Sequence, residues 1–372
     1  MVTIHDFIQL LDNSHRMFRK VNDIDIAKTA VLCLSCDAEA AAAYYQKKYG
    51  SKPDIYLLDG EEGRGKKLAQ HTKEYLDKYK LLYVAPHAQP WQEFTRGCQL
   101  MQKIGIFTFD INSDFDQNFP WINSAHIKND WFLQQLEKVS LLYNALADDE
   151  SKKVFLGALK ARLVQDMGYY ALSTFPCYHH PKVKIKPGDV VIDAGIGGYI
   201  QPTIDFSNIV GTNGKVIGFE LDPKYYENAK NNLGQYNNIT LHNIGLWKES
   251  GEVKFYSSPY DDSRIQENNP NIQTAAKVTD LDSWLEEHHL SCDFIKMDIE
   301  GAELSALQGA VQTLAKFRPN LSICLYHHPT TQLVTIFDFL YTLDLGYSFY
   351  MAQHLPYICD TVLYATARHE QL

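Results

Sequence analysis

Three groups of residues in this 372-residue chain have the types and spacing to do chemistry, and each closes an apolar run. The first is Val190-Val-Ile-Asp-Ala-Gly-Ile-Gly-Gly-Tyr199, where the run ends in Asp193 and opens into Gly195, Gly197 and Gly198. A strand followed by a glycine loop and a helix brings backbone amides and a helix N-terminus beside a ligand at the carboxyl edge of a sheet. The glycines do not fit a dinucleotide. Reading Gly-x-Gly-x-x-Gly from Gly195 through Gly197 puts Ile200 in third place. An acid two residues before the first glycine suits a ligand carrying an ammonium group, by accepting from it or by orienting the loop that holds it.

The second group is Lys215-Val-Ile-Gly-Phe-Glu220 with Asp222-Pro223 behind it as helix cap and first helical residue. An acid ending the second strand can accept both hydroxyls of a ribose. Alone, Glu220 reads equally well as a solvated strand end; beside Asp193 and the glycines it favours a nucleoside. Asn243, closing the next apolar run, is placed with this cofactor-binding set. An amino-acid end and a ribose end together describe S-adenosylmethionine. The third group runs from Phe294 through Asp298, Glu300 and Glu303. Asp298 and Glu300 fall at the same edge as Asp193 and are assigned as catalytic. A carboxylate there can act as general base to a hydroxyl, hold a divalent metal that does so, or cap the following helix. No metal ligand set is assigned. His327 follows another apolar run at that edge and is assigned as a substrate-facing base or orienting group, against the alternative of a structural histidine. His179-His180 reads as a structural turn and His288-His289 as a solvated helix end.

These residues need two sheets to position them. Apolar runs at 29–35, 55–59, 81–85 and 104–109 alternate with helical stretches near 37–49, 66–77 and up to about 103, which is a parallel sheet with helical crossovers. Residues 126–165 are helical and interrupted at 148–151. A second alternation starts at 190 and ends in an antiparallel pair around 347–350 and 361–364. The expectation is an α/β chain of two Rossmann-like three-layer domains: 1–125, a helical connector 126–180, and 181–372. The N-terminal sheet lacks glycines after its first strand, so its expected role is scaffold, substrate positioning or homodimer contact rather than a second nucleotide site.

Composition limits what the protein can do. At 45% hydrophobic and 22% charged residues the chain is neither disordered nor a disulfide scaffold. A net charge of −10 and the lack of a basic patch argue against a nucleic-acid partner. Seven scattered cysteines suit a reducing compartment, and Cys33 with Cys36, the one close pair, reads as strand-end packing. No run of eighteen apolar residues occurs, so no membrane insertion is expected and the expected location is cytoplasmic.

The motifs resemble those of FkbM-type class I methyltransferases. The resemblance lies in Gly188-Asp-Val-Val-Ile-Asp-Ala-Gly195, Val216-Ile-Gly-Phe-Glu220, Asp293-Phe-Ile-Lys-Met-Asp-Ile-Glu-Gly-Ala-Glu-Leu304, Asn320-Leu-Ser-Ile-Cys-Leu-Tyr-His327 and Thr361-Val-Leu-Tyr-Ala365. It spans about residues 180–367. It implies a seven-stranded mixed sheet in the C-terminal domain, S-adenosylmethionine as methyl donor, and O-methylation of a hydroxyl on a small-molecule or glycan acceptor, a sugar or a natural product. The N-terminal half is similar to that of longer members. The chain departs from the family in a glycine loop one residue short and in the missing arginine before His354. The competing readings are a nicotinamide-dependent oxidoreductase and a degenerate methyltransferase serving as an interaction module.

Overall fold

The computed structural model describes residues 1–17, 127–164, 167–257, 263–265, 274–328, 330–355 and 359–368, a few residues between 43 and 51, and the backbone of four short strands between 29 and 85. Those four are β1 (Thr29–Cys33), β2 (Asp54–Leu57), β3 (Lys66–Lys67) and β4 (Leu81–Ala85), all parallel in the order β3-β2-β1-β4. Lys66 and Lys67, expected to begin a helix, pair instead with Tyr56 and Leu57. Ala43, Gln46 and Lys47, within the helix expected near 37–49, are helical; the rest of that helix, the run expected as a strand at 104–109, the helix up to 103 and Cys36 lie outside the described residues.

The C-terminal sheet has seven strands: β5 (Val190–Ala194), β6 (Lys215–Phe219), β7 (Ile239–His242), β12 (Phe294–Met297), β13 (Asn320–Cys324), β14 (Ser348–Gln353) and β15 (Thr361–Thr366). A smaller sheet between β7 and β12 is formed by β8 (Gly245–Leu246), β9 (Gly251–Tyr256), β10 (Arg264–Ile265) and β11 (Ala275–Thr279). The large sheet runs β14-β15-β13-β12-β5-β6-β7 with β15 antiparallel to both its neighbours. From β5 the chain moves outward through β6 and β7, then returns to β12 on the other side of β5. That reversal opens a crevice at the carboxyl ends of β5 and β12, where open α/β sheets take their ligands. The central strands are buried on both faces, which is why they read as unbroken apolar runs.

Nine described helices surround the sheets: α1 (Ile4–Asp12), α2 (Asn129–Ala145), α3 (Asp149–Val164), α4 (Gln201–Val210), α5 (Pro223–Leu233), α6 (Leu281–Glu287), α7 (Glu303–Gln308), α8 (Val311–Phe317) and α9 (Gln332–Thr342). Asp222 caps α5 by accepting from Lys224 N at 2.9 Å, with Pro223 in the first turn. The interruption expected near 148–151 is the start of α3, where Asp148 accepts from Ser151 N at 2.9 Å.

The segment read as a connector shares the core of the C-terminal sheet: Phe155, Leu159 and Leu142 pack in one cluster with Ile323, Phe349 and Leu363. It also covers the edge strand β14. Ala147 N donates to Phe349 O, Ser173 N to Gln353 O, and Met351 N to Ser151 Oγ. An uncovered edge would offer those groups to another chain. Helix α1 packs here too, with Val2 and Asn144 exchanging two hydrogen bonds at 2.8 and 2.9 Å. Among the described residues no helix is long and apolar enough to cross a membrane.

Candidate active site

The crevice has a wall from β5 and β6 and a wall from β12 and β13. On the first, Asp193 is fully buried at the end of β5, its Oδ2 accepting from Thr203 Oγ1 at 2.7 Å and its Oδ1 3.1 Å from Lys296 Nζ. Lys296 also donates to the carbonyls of Ala194 and Gly195 and lies over the ring of Tyr178 at 5.4 Å. Burial opposes its charge, but the carboxylates of Asp193 and Asp298 outweigh that and hold its pKa above the ordinary lysine value. The ammonium expected on Asp193 is therefore supplied by the protein itself. Asp193 has no exposed surface and meets the glycine loop only through Lys296, which donates to Gly195 O.

The loop can follow this path because Gly195 and Gly197 have φ of 79° and 62°. A Cβ on Gly195 would stand 1.8 Å from Asp298 O, so a side chain there would push the two walls apart. Glu220, 6% exposed, receives Gly197 N on Oε2 at 2.9 Å and Asp222 N on Oε1 at 2.8 Å. Asn243 donates to the carbonyls of Glu220 and Leu221, fixing the end of β6. Gly198 is half-buried beside Gly197. The structure thus brings Gly195, Gly197, Gly198, Glu220 and Asn243 together at one sheet edge.

On the second wall Asp298 follows β12, its amide donating to Ala194 O at 3.1 Å. Tyr178 OH donates to its Oδ2 at 2.7 Å and Tyr326 OH to its Oδ1 at 2.9 Å. Burial would raise its pKa, but His327, Lys296 and Tyr178 hold it well below the usual carboxylate range. The side chain of His327 is 5% exposed. Its Nδ1 meets Glu303 Oε1 at 2.7 Å; its Nε2 faces Asp298 Oδ1 at 3.2 Å and Glu300 Oε2 at 3.5 Å, within ion-pair distance but off the line of a hydrogen bond. Burial disfavours a charged imidazole, yet Glu300 and Glu303 raise its pKa well above the ordinary histidine value.

Glu303 has no exposed surface. It receives Ile299 N, Gly301 N and Gln332 Nε2 besides the imidazole, so it braces the loop as well as beginning α7. Glu300 has φ of 53°, a backbone state that disfavours side chains, and burial raises its carboxyl pKa.

Four site residues went unassigned in the sequence. Lys296 had a signal, a lysine inside an apolar strand, since a buried charge must be paired. Tyr178, Tyr326 and Asp360 had none. Asp360 arrives through the antiparallel register of β13 and β15: Cys324 pairs with Val362 and Leu325 N bonds Thr361 O, which sets Asp360 opposite Tyr326. Burial and the charge of Asp298 push its carboxyl up to about 7. His179 closes a turn from Pro176 and His180 opens the next to Val183, with the His180 ring against Tyr350 and Tyr364. His288 caps α6 and stacks on Trp284.

Residues 191–349 match the family model of the methyltransferase FkbM domain. Among solved structures, the methyltransferase FkbM from Methylobacillus flagellatus KT matches over 98% of this chain and 99% of its own, at 19% identity and a TM-score of 0.55, a likeness of fold. A putative rRNA-methylase from Clostridium thermocellum matches at 16% identity over 50% of this chain and 88% of its own, with a TM-score of 0.33. Fibrillarin from Aeropyrum pernix, solved with natively bound S-adenosyl-L-methionine, matches at 14% identity over 49% and 67%, with a TM-score of 0.32. The last two scores are too low to carry an argument. Among curated proteins none matches the chain.

Proposed function

We propose that this chain, whose residues 191–349 match the methyltransferase FkbM domain model, uses S-adenosylmethionine to methylate a hydroxyl on a sugar, glycan or natural product. One observation carries the reading. The Gly197 amide and the Glu220 carboxylate are hydrogen-bonded to each other, so a glycine loop and a strand-end acid form a single preset wall of the crevice. That wall fits a nucleoside with an amino-acid tail: Glu220 and Asn243 at the ribose end, the loop from Gly195 to Gly198 at the other. When bound, the donor supplies an electrophilic methyl group on a sulfonium.

The chain's own residues do the rest. Lys296 and Asp193 fix the loop from below, and Asp298 N on Ala194 O sets the spacing between the walls. Positioning of this kind is a large part of what an enzyme adds to a displacement at a small carbon. Asp298, Glu300 and His327 line the acceptor wall. Asp360, with a proton affinity near neutrality, is suited to take the hydroxyl proton.

Calorimetry with S-adenosylhomocysteine tests this. The wild-type chain should bind it, and Glu220→Ala should weaken binding at least about tenfold, the loss of roughly one charge-assisted hydrogen bond. Methyl-labelled donor should then label hydroxylated acceptors. Affinity unchanged in both Glu220→Ala and Asp193→Ala, or stabilisation by NAD(P) with none by S-adenosylhomocysteine, overturns the reading.

A further inference from the structure

At the carboxyl ends of β12 and β13, Asp298, Glu303 and His327 each bring a potential ligand atom within 4.8 Å of the others. They do not play equal parts. Glu303 is spent: its oxygens accept two backbone amides, Gln332 Nε2 and His327 Nδ1. By receiving the Nδ1 proton it fixes the tautomer that leaves the lone pair on Nε2. In metal sites a carboxylate behind the imidazole commonly does this. That Nε2 is shielded from solvent, has no hydrogen-bond partner, and faces Asp298 and Glu300. A lone pair aimed at two carboxylates is repulsive unless a proton or a cation stands between them.

Charge points the same way. The buried ammonium of Lys296 is set against Asp193 and Asp298, while Asp298, Glu300 and Glu303 all face the imidazole of His327. Buried negative charge left unpaired is costly inside a protein. Two phenols, Tyr178 and Tyr326, hold the Asp298 carboxylate in a fixed plane, and Glu300 keeps its carboxylate at the site despite its unfavourable φ. The side chains of Asp298 and Glu300 are 24% and 29% exposed, so the cluster opens on the crevice.

We propose that Asp298, Glu300 and His327 bind a divalent transition cation, with Glu303 as the group that orients the imidazole. One imidazole and two carboxylates suit manganese, iron or zinc. The cation sits where an acceptor's oxygen must approach, so it selects substrates with a hydroxyl able to meet a metal. That catalytic use rests on the proposed methyl transfer; the binding itself does not.

The experiment is titration of the chelator-stripped full-length protein with manganese(II) chloride, without donor, followed by electron paramagnetic resonance and calorimetry. The expected result is a saturable site that broadens the manganese signal and raises the melting temperature. Glu300→Gln, whose side chain is partly exposed and outside the buried hydrogen-bond network, should keep the fold and weaken the ion at least about tenfold. His327→Gln should do the same, with loss of nitrogen coupling in the spectrum. A signal that stays that of the free ion, or binding unchanged in Glu300→Gln, overturns the proposal. Manganese binding without S-adenosylhomocysteine binding leaves the cation site standing and removes the methyl-transfer reading; the reverse result removes the site alone.

Discussion

Lys296 is the residue on which both walls of the crevice depend. Its side chain is 5% exposed and that of its partner Asp193 is 1% exposed, so neither charge can turn to water if the other is removed. Lys296→Met is expected to cost about 3–5 kcal/mol, the usual penalty for stranding one member of a buried pair. Asp193→Asn placed on top of it should recover part of that loss. Urea unfolding of the single and double variants checks both statements. The same residues show what a sequence reveals. Asp193, Glu220, Asp298 and His327 were legible because each ends an apolar run, and strand ends meet at one edge of a parallel sheet. The exact work of Asp193 was not, because its answer lies on a strand a hundred positions away. Tyr178 and Tyr326 reach Asp298, and Asp360 comes opposite Tyr326, through a turn and an antiparallel register, and neither leaves a local pattern.

At the scale of elements, β14 is the edge that needs protection, and α3 provides it. The Met351 amide is buried and its acceptor is Ser151 Oγ. Ser151→Ala leaves that donor unpaired and should cost about 1–2 kcal/mol. The midpoint of urea unfolding measures the loss, and faster hydrogen exchange at the Met351 amide locates it. The central strands were readable from composition alone, since burial on both faces leaves only apolar residues. Lys66 and Lys67 were misread as helical because a strand of two residues owes its state to its partner, Tyr56 and Leu57, and to nothing in its own sequence. The helices of residues 129–164 were readable as helices; that their apolar sides close the same core as β13 and β14 was not, since periodicity shows a face and not its destination.

For the whole molecule, the packing around β14 and β15 predicts a sensitivity to acid. His180 lies against Phe175, Tyr350 and Tyr364, and His354 is held by Phe175 O and Tyr364 OH. Burial pushes their pKa values down to about 4 and about 3. Both rings stay neutral when folded and take up a proton when unfolded. Their stabilising contribution is therefore complete above about pH 6.5, the unfolded value, and is lost as pH falls toward the folded values. Thermal melts should show a steep fall between pH 6.5 and 4, worth about 1–3 kcal/mol for His180 alone. His180→Phe should flatten it; an unchanged slope in that variant would place the acid sensitivity elsewhere.

The Lys296 ammonium, carried on β12 beside Asp298 and sensing its charge, reaches across to the glycine loop at Gly195 O. Anything that alters the charge on one bank must re-weight that ammonium's allegiance to the other. Thermodynamic reciprocity then requires that occupancy on the acceptor bank tune affinity on the donor bank by the same factor as the converse. The two ends of the cleft are one linked system.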